Sequence, residues 1–154
     1  MNRETLTAYI KDLVKSIEII EDAKQFPSFL LPAADWRTLA LKLRNDEQLK
    51  FDFLYCLSAV DWPECMWVVY HLRSTDKKYS IVVKARIDNR EKAEIESVAD
   101  IWRTAEFHER EAYDLFGIHF QNHPDLRRLL LPDDWEGWPM RKDYQDDVNM
   151  VMWK

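Results

Sequence analysis

The sequence predicts an α+β domain, with helices on one face of a small mixed or antiparallel sheet and an extended irregular C-terminal arm. Three observations predict it. Apolar residues recur at helical spacing near the N-terminus and again after residue 95. Between these stretches the period drops to two, with β-branched and aromatic side chains. After Phe120 periodicity disappears, although apolar residues do not. The expected division is a core over residues 1–120 and an arm over residues 121–154.

The first helix is predicted from Leu6, Tyr9, Ile10, Leu13, Val14 and Ile17, with Lys11, Asp12 and Lys15 on the opposite face. A short apolar stretch over 28–31 is closed by Pro32, which suits the first turn of a second helix. There Trp36, Leu39, Ala40 and Leu43 repeat the helical spacing and Asn45 is a stop signal. From Leu49 the alternation of Leu49, Phe51, Phe53, Tyr55 and Leu57 predicts a strand. Residues 66–73 and 79–86 form the next two, joined through the polar residues 74–78 as a hairpin. Ile95, Val98, Ala99 and Trp102 return to helical spacing. A further helix over 105–116 ends at Gly117, since a left-handed C′ residue is most easily a glycine.

The length of 154 residues fits one domain, and 47% hydrophobic content supports a core. No apolar run approaches the roughly 20 residues that span a bilayer. Arg3 and Glu4 are followed by no apolar leader, so the chain reads as soluble, unexported and cytosolic. Only two glycines are present, Gly117 and Gly137, which excludes both common glycine-rich phosphate loops. Cys56 and Cys65 are two thiols where a common iron–sulfur cluster or structural zinc needs four ligands. Cys56 reads as a small hydrophobe, and cytosolic redox conditions disfavour a disulfide. Trp36, Trp62, Trp67 and Trp102 fit core or strand positions. The net charge of −6, with no cluster of Lys and Arg, argues against nucleic-acid binding. The charge is uneven: residues 1–104 hold 17 acids and 16 bases, whereas residues 105–154 hold 11 acids and 6 bases.

The arm contains Pro124, Pro132, Pro139 and Gly137, which forbid a long helix. It also contains Leu126, Leu129, Leu130, Leu131, Trp135, Trp138, Met140, Tyr144, Val148, Met150, Val151, Met152 and Trp153, too many apolar residues for a disordered tail. Such an arm either wraps its own domain or lies in a groove of a partner, and composition alone favours neither.

His108, His119 and His123 fall close together beside Glu109, Glu111 and Asp114, which raises a metal site as an alternative. The zincin pattern fails, because Ala112 stands where the second histidine belongs, and Pro124 biases His123 out of a helix. On the helix over 105–116, Ala105, Ala112, Leu115 and Phe116 share a stripe that includes His108 and Glu109. A carboxylate there must be hydrogen-bonded or paired. Arg110 and Asp114 are spaced for an ion pair on the opposite side, worth only a few tenths of a kcal/mol if exposed. No nucleophile or second acid accompanies them, so a structural or interface network is the expectation.

Several of these residues form a longer signature. It comprises Glu109-Arg110-Glu111-Ala112-Tyr113-Asp114-Leu115-Phe116-Gly117-Ile118, then His123-Pro124-Asp125-Leu126-Arg127-Arg128-Leu129-Leu130-Leu131-Pro132-Asp133-Asp134-Trp135-Glu136-Gly137, then Arg141-Lys142-Asp143-Tyr144. This stretch, with Leu57-Ser58-Ala59-Val60-Asp61-Trp62 and residues 98–102, resembles the C-type or 30 kDa subunit of NADH-quinone oxidoreductase, respiratory complex I. The likeness covers about residues 30–145. Gln145 stands where the family usually has Pro, and Phe107 where Trp is common.

The resemblance implies a non-catalytic scaffold subunit of the peripheral arm, on the cytoplasmic side of the bacterial inner membrane. It implies no cofactor in this chain, with FMN and iron–sulfur clusters in neighbouring subunits. It also implies partners among the quinone-site and terminal-cluster subunits (D and B types) and the adjacent ferredoxin-like subunit. Arg127, Arg128, Arg141 and Lys142 are then expected to pair with acidic partner groups, while Leu129, Leu130, Leu131, Trp135 and Trp138 fill apolar grooves. Related membrane-bound hydrogenases and ferredoxin-dependent complexes use homologous subunits and remain an alternative, as does a stand-alone metalloenzyme built on His108, His119, His123 and Glu111.

Overall fold

The computed structural model describes residues 1–21 and 25–149. Met150, Val151, Met152 and Trp153 of the expected apolar arm lie outside the described residues. In chain order the elements are helix α1 (Arg3–Lys11), strands β1 (Glu18–Ile19) and β2 (Ser28–Pro32), helix α2 (Ala33–Asn45), strands β3 (Phe53–Asp61), β4 (Met66–Arg73), β5 (Ser80–Ile87) and β6 (Glu94–Glu96), helix α3 (Ala105–Phe116) and strand β7 (His119–Gln121).

Five strands form a sheet in the order β1-β2-β5-β4-β3. The β3-β4-β5 meander is antiparallel, as the period of two and the short 74–78 connection predict. β2 joins β5 in parallel, which makes the sheet mixed. That pairing requires a long crossover, supplied by α2, β3 and β4. β6 and β7 form a separate parallel ladder, with Ile95 opposite Phe120 and α3 as their connection.

One sheet face carries the core. Trp36, Leu39, Ala40 and Leu43 of α2, Leu6 and Ile10 of α1, and Ala105 and Ala112 of α3 bury against Leu54, Leu57, Val68, Tyr70, Val83 and Ala85. Trp36 lies 4.1 Å from Tyr70 and 6.1 Å from Trp102 between ring centroids, and Trp102 donates Nε1–H to the Phe51 carbonyl at 2.8 Å. Burial of side chains this large contributes roughly 2–3 kcal/mol each.

Four expectations change. The first helix stops at Lys11, and Leu13, Val14 and Ile17 reach the core from tight turns instead; Lys42 of α2 donates to the Leu13 carbonyl at 2.7 Å. The third strand begins at Phe53 rather than Leu49, because Lys50 is left-handed (φ 45°) and the Phe51 N–H bonds to Leu43 at the end of α2. Ile95 belongs to β6, and only a single turn, closed by Trp102 N–H on the Val98 carbonyl, follows it. Trp62 lies past the end of β3 and is exposed.

Candidate functional site

α3 carries the signature, and its register decides what each residue touches. Capped by the left-handed Gly117 (φ 73°), it buries Ala105, Glu109, Arg110, Ala112 and Asp114. Three charged groups on one buried surface demand partners, since an uncompensated buried charge costs several kcal/mol. The chain supplies all of them.

Glu109 faces the loop after β6. Its Oε1 accepts from Val98 N–H at 2.8 Å and its Oε2 from the Ser97 hydroxyl at 2.5 Å. Burial pushes its carboxyl up to about 7, against the pull of these hydrogen bonds. Arg37 of α2 braces the same loop, donating to the Ser97 carbonyl and gripping both Asp100 oxygens. The expected pairing of a carboxylate on the apolar stripe is therefore met by hydrogen bonds, with no direct ion pair to a lysine or arginine.

His123 lies beside this carboxyl, with Nε2 3.8 Å from Glu109 Oε2 and no side-chain exposure. Its Nδ1 accepts from Asp125 N–H at 3.0 Å, which places the ring proton on Nε2, aimed at the Glu106 carbonyl at 2.9 Å. Both nitrogens are in use, so His123 has no lone pair for a metal. His119 is exposed on β7, His108 is half-buried, and among the described residues no group of three His, Cys, Asp or Glu side chains converges. The proposed metal set is not assembled.

Asp114 holds the start of the arm. Its Oδ2 accepts from three consecutive N–H groups, Leu129, Leu130 and Leu131, at 3.1, 2.7 and 3.0 Å, and its Oδ1 from Arg128 at 2.9 Å. Burial raises this carboxyl, but Arg128 and the three amides hold it below the ordinary range. Arg128 also donates to the carbonyls of Asp114, Trp135 and Gly137, and its guanidinium stands 4.5 Å from the Trp138 ring centroid. Arg110 donates to the Arg127 and Arg128 carbonyls. The expected exposed Arg110–Asp114 pair is replaced by these two inward contacts, because both residues turn toward the arm.

The last turn of α3 is closed by the same segment. A helix leaves its final four carbonyls without intrahelical partners. Here Tyr113 O accepts from Gly117 N–H, Asp114 O from Arg128, Leu115 O from Met140 N–H and Phe116 O from Arg141 Nε, at 2.8, 2.8, 3.0 and 2.6 Å. The Trp138 ring lies so close to Gly117 that a Cβ there would meet it at 2.6 Å, and a Cβ on Gly137 (φ 84°) would meet the Tyr144 ring at 2.9 Å.

A second clasp lies at the end of β3. Buried Asp61 binds Arg90 through both oxygens at 2.7 and 2.8 Å and accepts from Lys142 N–H at 2.8 Å; Arg90 grips Asp143 at 2.9 and 3.0 Å. Lys142 Nζ stands 5.5 Å from the Trp62 ring centroid.

The arm up to Tyr144 thus folds onto its own domain. The expectation that basic arm residues pair with partner acids is corrected for Arg128, whose two amino groups donate within the chain; Arg141 gives its Nε–H to the Phe116 carbonyl, and Arg127 pairs with Asp125 at 3.0 Å. Trp138 packs against Tyr113 at 5.3 Å. Leu130 and Met140 are exposed, as are Glu111, Pro124, Asp125, Pro132, Lys142 and Asp143; Trp135 and Phe116 are half-buried. Sequence reading missed Ser97, Arg37, Arg90 and the anchoring role of Asp61. The one available signal was a carboxylate, Asp61, ending an otherwise apolar strand.

A family described as "Respiratory-chain NADH dehydrogenase, 30 Kd subunit" matches residues 29–148. The chain is 51% identical over 120 residues to the C/D-type subunit of NADH-quinone oxidoreductase from Phocaeicola vulgatus, covering 77% of this chain but 23% of that protein. To the C-type subunit of the same enzyme from Chlorobium phaeobacteroides it is 41% identical over 152 residues, covering 93% of this chain and 90% of that one. Among solved structures, a chain of the membrane-bound sulfane sulfur reductase, an archaeal respiratory membrane complex, matches with TM-score 0.77 and 27% identity over 92% of this chain and 85% of that chain. The trypsin-resistant fragment (1-134) of Nqo5 matches with TM-score 0.67 and 28% identity, covering 82% of this chain and all of the fragment.

Proposed function

Because the chain belongs to the 30 kDa subunit family of respiratory-chain NADH dehydrogenase, we propose that it is a non-catalytic scaffold subunit of NADH-quinone oxidoreductase. In this reading the assembled enzyme carries electrons from NADH through FMN and iron–sulfur clusters to quinone, and those groups reside in neighbouring subunits. Cys56 and Cys65, one half-buried and one buried, cannot supply the four thiolates of a cluster. No described helix is long and apolar enough to cross a membrane; in this reading the chain attaches peripherally, on the cytoplasmic side, through its companion subunits.

The observation that carries the scaffold reading is the self-clasped signature. Glu109, Asp114 and Asp61 are buried carboxylates of the kind found at catalytic sites, yet each is engaged in structural hydrogen bonds, and the one hydroxyl in contact with them, that of buried Ser97, is spent donating to Glu109. They rigidify α3 and the arm, and leave exposed arm residues such as Leu130, Asp125 and Lys142 to meet neighbours of the D, B and ferredoxin-like types.

The test is affinity purification of the tagged chain from native membranes. It is expected to arrive with flavin- and cluster-bearing chains, while the isolated chain oxidises no NADH. A lone species with stoichiometric metal and an activity lost on His119→Ala would sink the proposal. The likeness to a chain of the sulfane sulfur reductase complex favours a second reading, a homologous subunit of a respiratory complex with another electron donor. Companion chains lacking an NADH-oxidising flavin subunit would select it.

A further inference from the structure

Among the described residues, no helix packs against the second face of the sheet. Strand alternation and register place Val60, Trp67, Val69 and Val82 there, with Leu30 of β2 beyond Lys84. An antiparallel sheet with one face in water normally turns polar side chains outward. This face instead carries half-buried Trp67, Val69 and Leu30 among its strands, with an aromatic hollow toward each end. One hollow, of about 490 Å³, lies among Phe26, Phe53, Tyr55 and His71; the other, of about 360 Å³, lies among Trp62, Trp67 and Arg86.

Its polar groups are just as one-sided. The charged side chains that β3, β4 and β5 turn to this face are Arg73, Lys84 and Arg86, cations on a chain of net charge −6. Lys84 Nζ stands 5.4 Å from the Trp67 ring centroid. Trp67 Nε1 and His71 Nδ1 are shut off from solvent and have no hydrogen-bond partner. Among the described residues, the acids lie around the margin: Glu18 on β1, Glu64 before β4, and Asp88, which pairs with Arg86 at 2.7 Å.

Building on the subunit reading above, we infer that this open sheet face is a docking surface for a neighbouring subunit of the same complex, one that presents carboxylates and carbonyls around an apolar centre. Apolar surface in two hollows supplies the burial, and Arg73, Lys84 and Arg86 select an acidic partner. A protein fits better than an anionic bilayer, because the marginal acids Glu18, Glu64 and Asp88 would be pressed against lipid phosphates. The clasped arm meets the edge of this face at Trp62, where Lys142 Nζ stands 5.5 Å from the ring centroid.

The experiment uses the full chain expressed in its own cells, with a photo-cross-linking residue at Val69 and, as a control, at Lys11 on α1. Cross-links from position 69 are expected on a single identified subunit, in a segment rich in Asp and Glu. K84E/R86E is expected to lower recovery of companion subunits by about tenfold relative to wild type, and K11E to leave it unchanged. Thermal unfolding of the isolated variants verifies that each is folded, and the cross-linking arm decides the matter if K84E/R86E is not. Wild-type recovery of K84E/R86E, or cross-links only to phospholipid or to a second copy of this chain, would overturn the inference while leaving the subunit reading standing. A wild-type chain that arrives with no companions would defeat that reading, and the inference with it.

Discussion

Glu109 has no exposed surface, yet it is held by one hydroxyl and one amide rather than by a cation in contact. Burial therefore dominates and pushes its carboxyl to about 7 from an ordinary 4.5. A folded-state value above the unfolded one stabilises the fold below the unfolded value, and that contribution is lost as pH rises through the folded one. The native state is thus expected to lose on the order of 3 kcal/mol from this group between about pH 4.5 and somewhat above 7. The groups facing it are Arg37 and Asp100 from one side, Ser97 and His123 from others, and Tyr70, whose own hydroxyl is pushed well up by burial and by Glu109. Glu109→Gln keeps the acceptor for Val98 N–H and removes the titration. Urea unfolding at a series of pH values should show its stability nearly flat across that window, where the wild type declines; parallel profiles would refute the assignment. The need for a partner at position 109 was legible from the helical stripe alone. Which partners was not, because Ser97 and Val98 come from a loop whose path the spacing of Ile95, Val98 and Ala99 misrepresents as helix.

Elements were most legible where side-chain period and punctuation agreed. α2, β4 and the start and end of α3 lie where Pro32, the 74–78 connection and Gly117 place them. The sequence misleads where tight turns imitate helical spacing, at Leu13 to Ile17, or where one left-handed residue, Lys50, breaks an alternating run. Gly117 shows how an element boundary becomes a tertiary constraint. Its left-handed φ ends α3, and its missing Cβ admits the Trp138 ring. Gly117→Ala is expected to cost at least about 1 kcal/mol from the backbone conformation alone. It should also displace Trp138, and with it the Met140 N–H and Arg141 contacts that close the helix. Limited trypsin digestion should then cut at Arg141 or Lys142 well before any site in β4 or β5. Cleavage at the wild-type rate there would mean that the arm does not depend on this packing.

At the scale of the whole molecule the question is whether the arm is an appendage or a part of the fold. Its composition left self-wrapping and partner-binding open, since a run of Leu, Trp and Arg suits either; the geometry of Asp114 separates them most sharply. That carboxylate is buried and answered wholly from α3 and the arm, by Arg128 and the three leucine amides. If the arm were an appendage, removing residues 121–154 would leave the stability of the core unchanged. If it belongs to the fold, truncation strands a buried charge, and the two perturbations must be coupled. In the full chain Asp114→Ala leaves Arg128 and three amides without their acceptor and should cost about 3–5 kcal/mol. In a chain ending at residue 120 the carboxylate has already lost every arm donor. The same substitution should there cost nothing or stabilise, so the cycle closes with a coupling of about 3 kcal/mol or more. A cycle of Asp114→Ala with Arg128→Ala in the full chain reports the Arg128 part of that coupling if the shortened chain fails to fold. Additive losses in both cycles would return the arm to the status of a passive tail, and the rigid platform proposed for complex assembly would have to rest on the sheet alone.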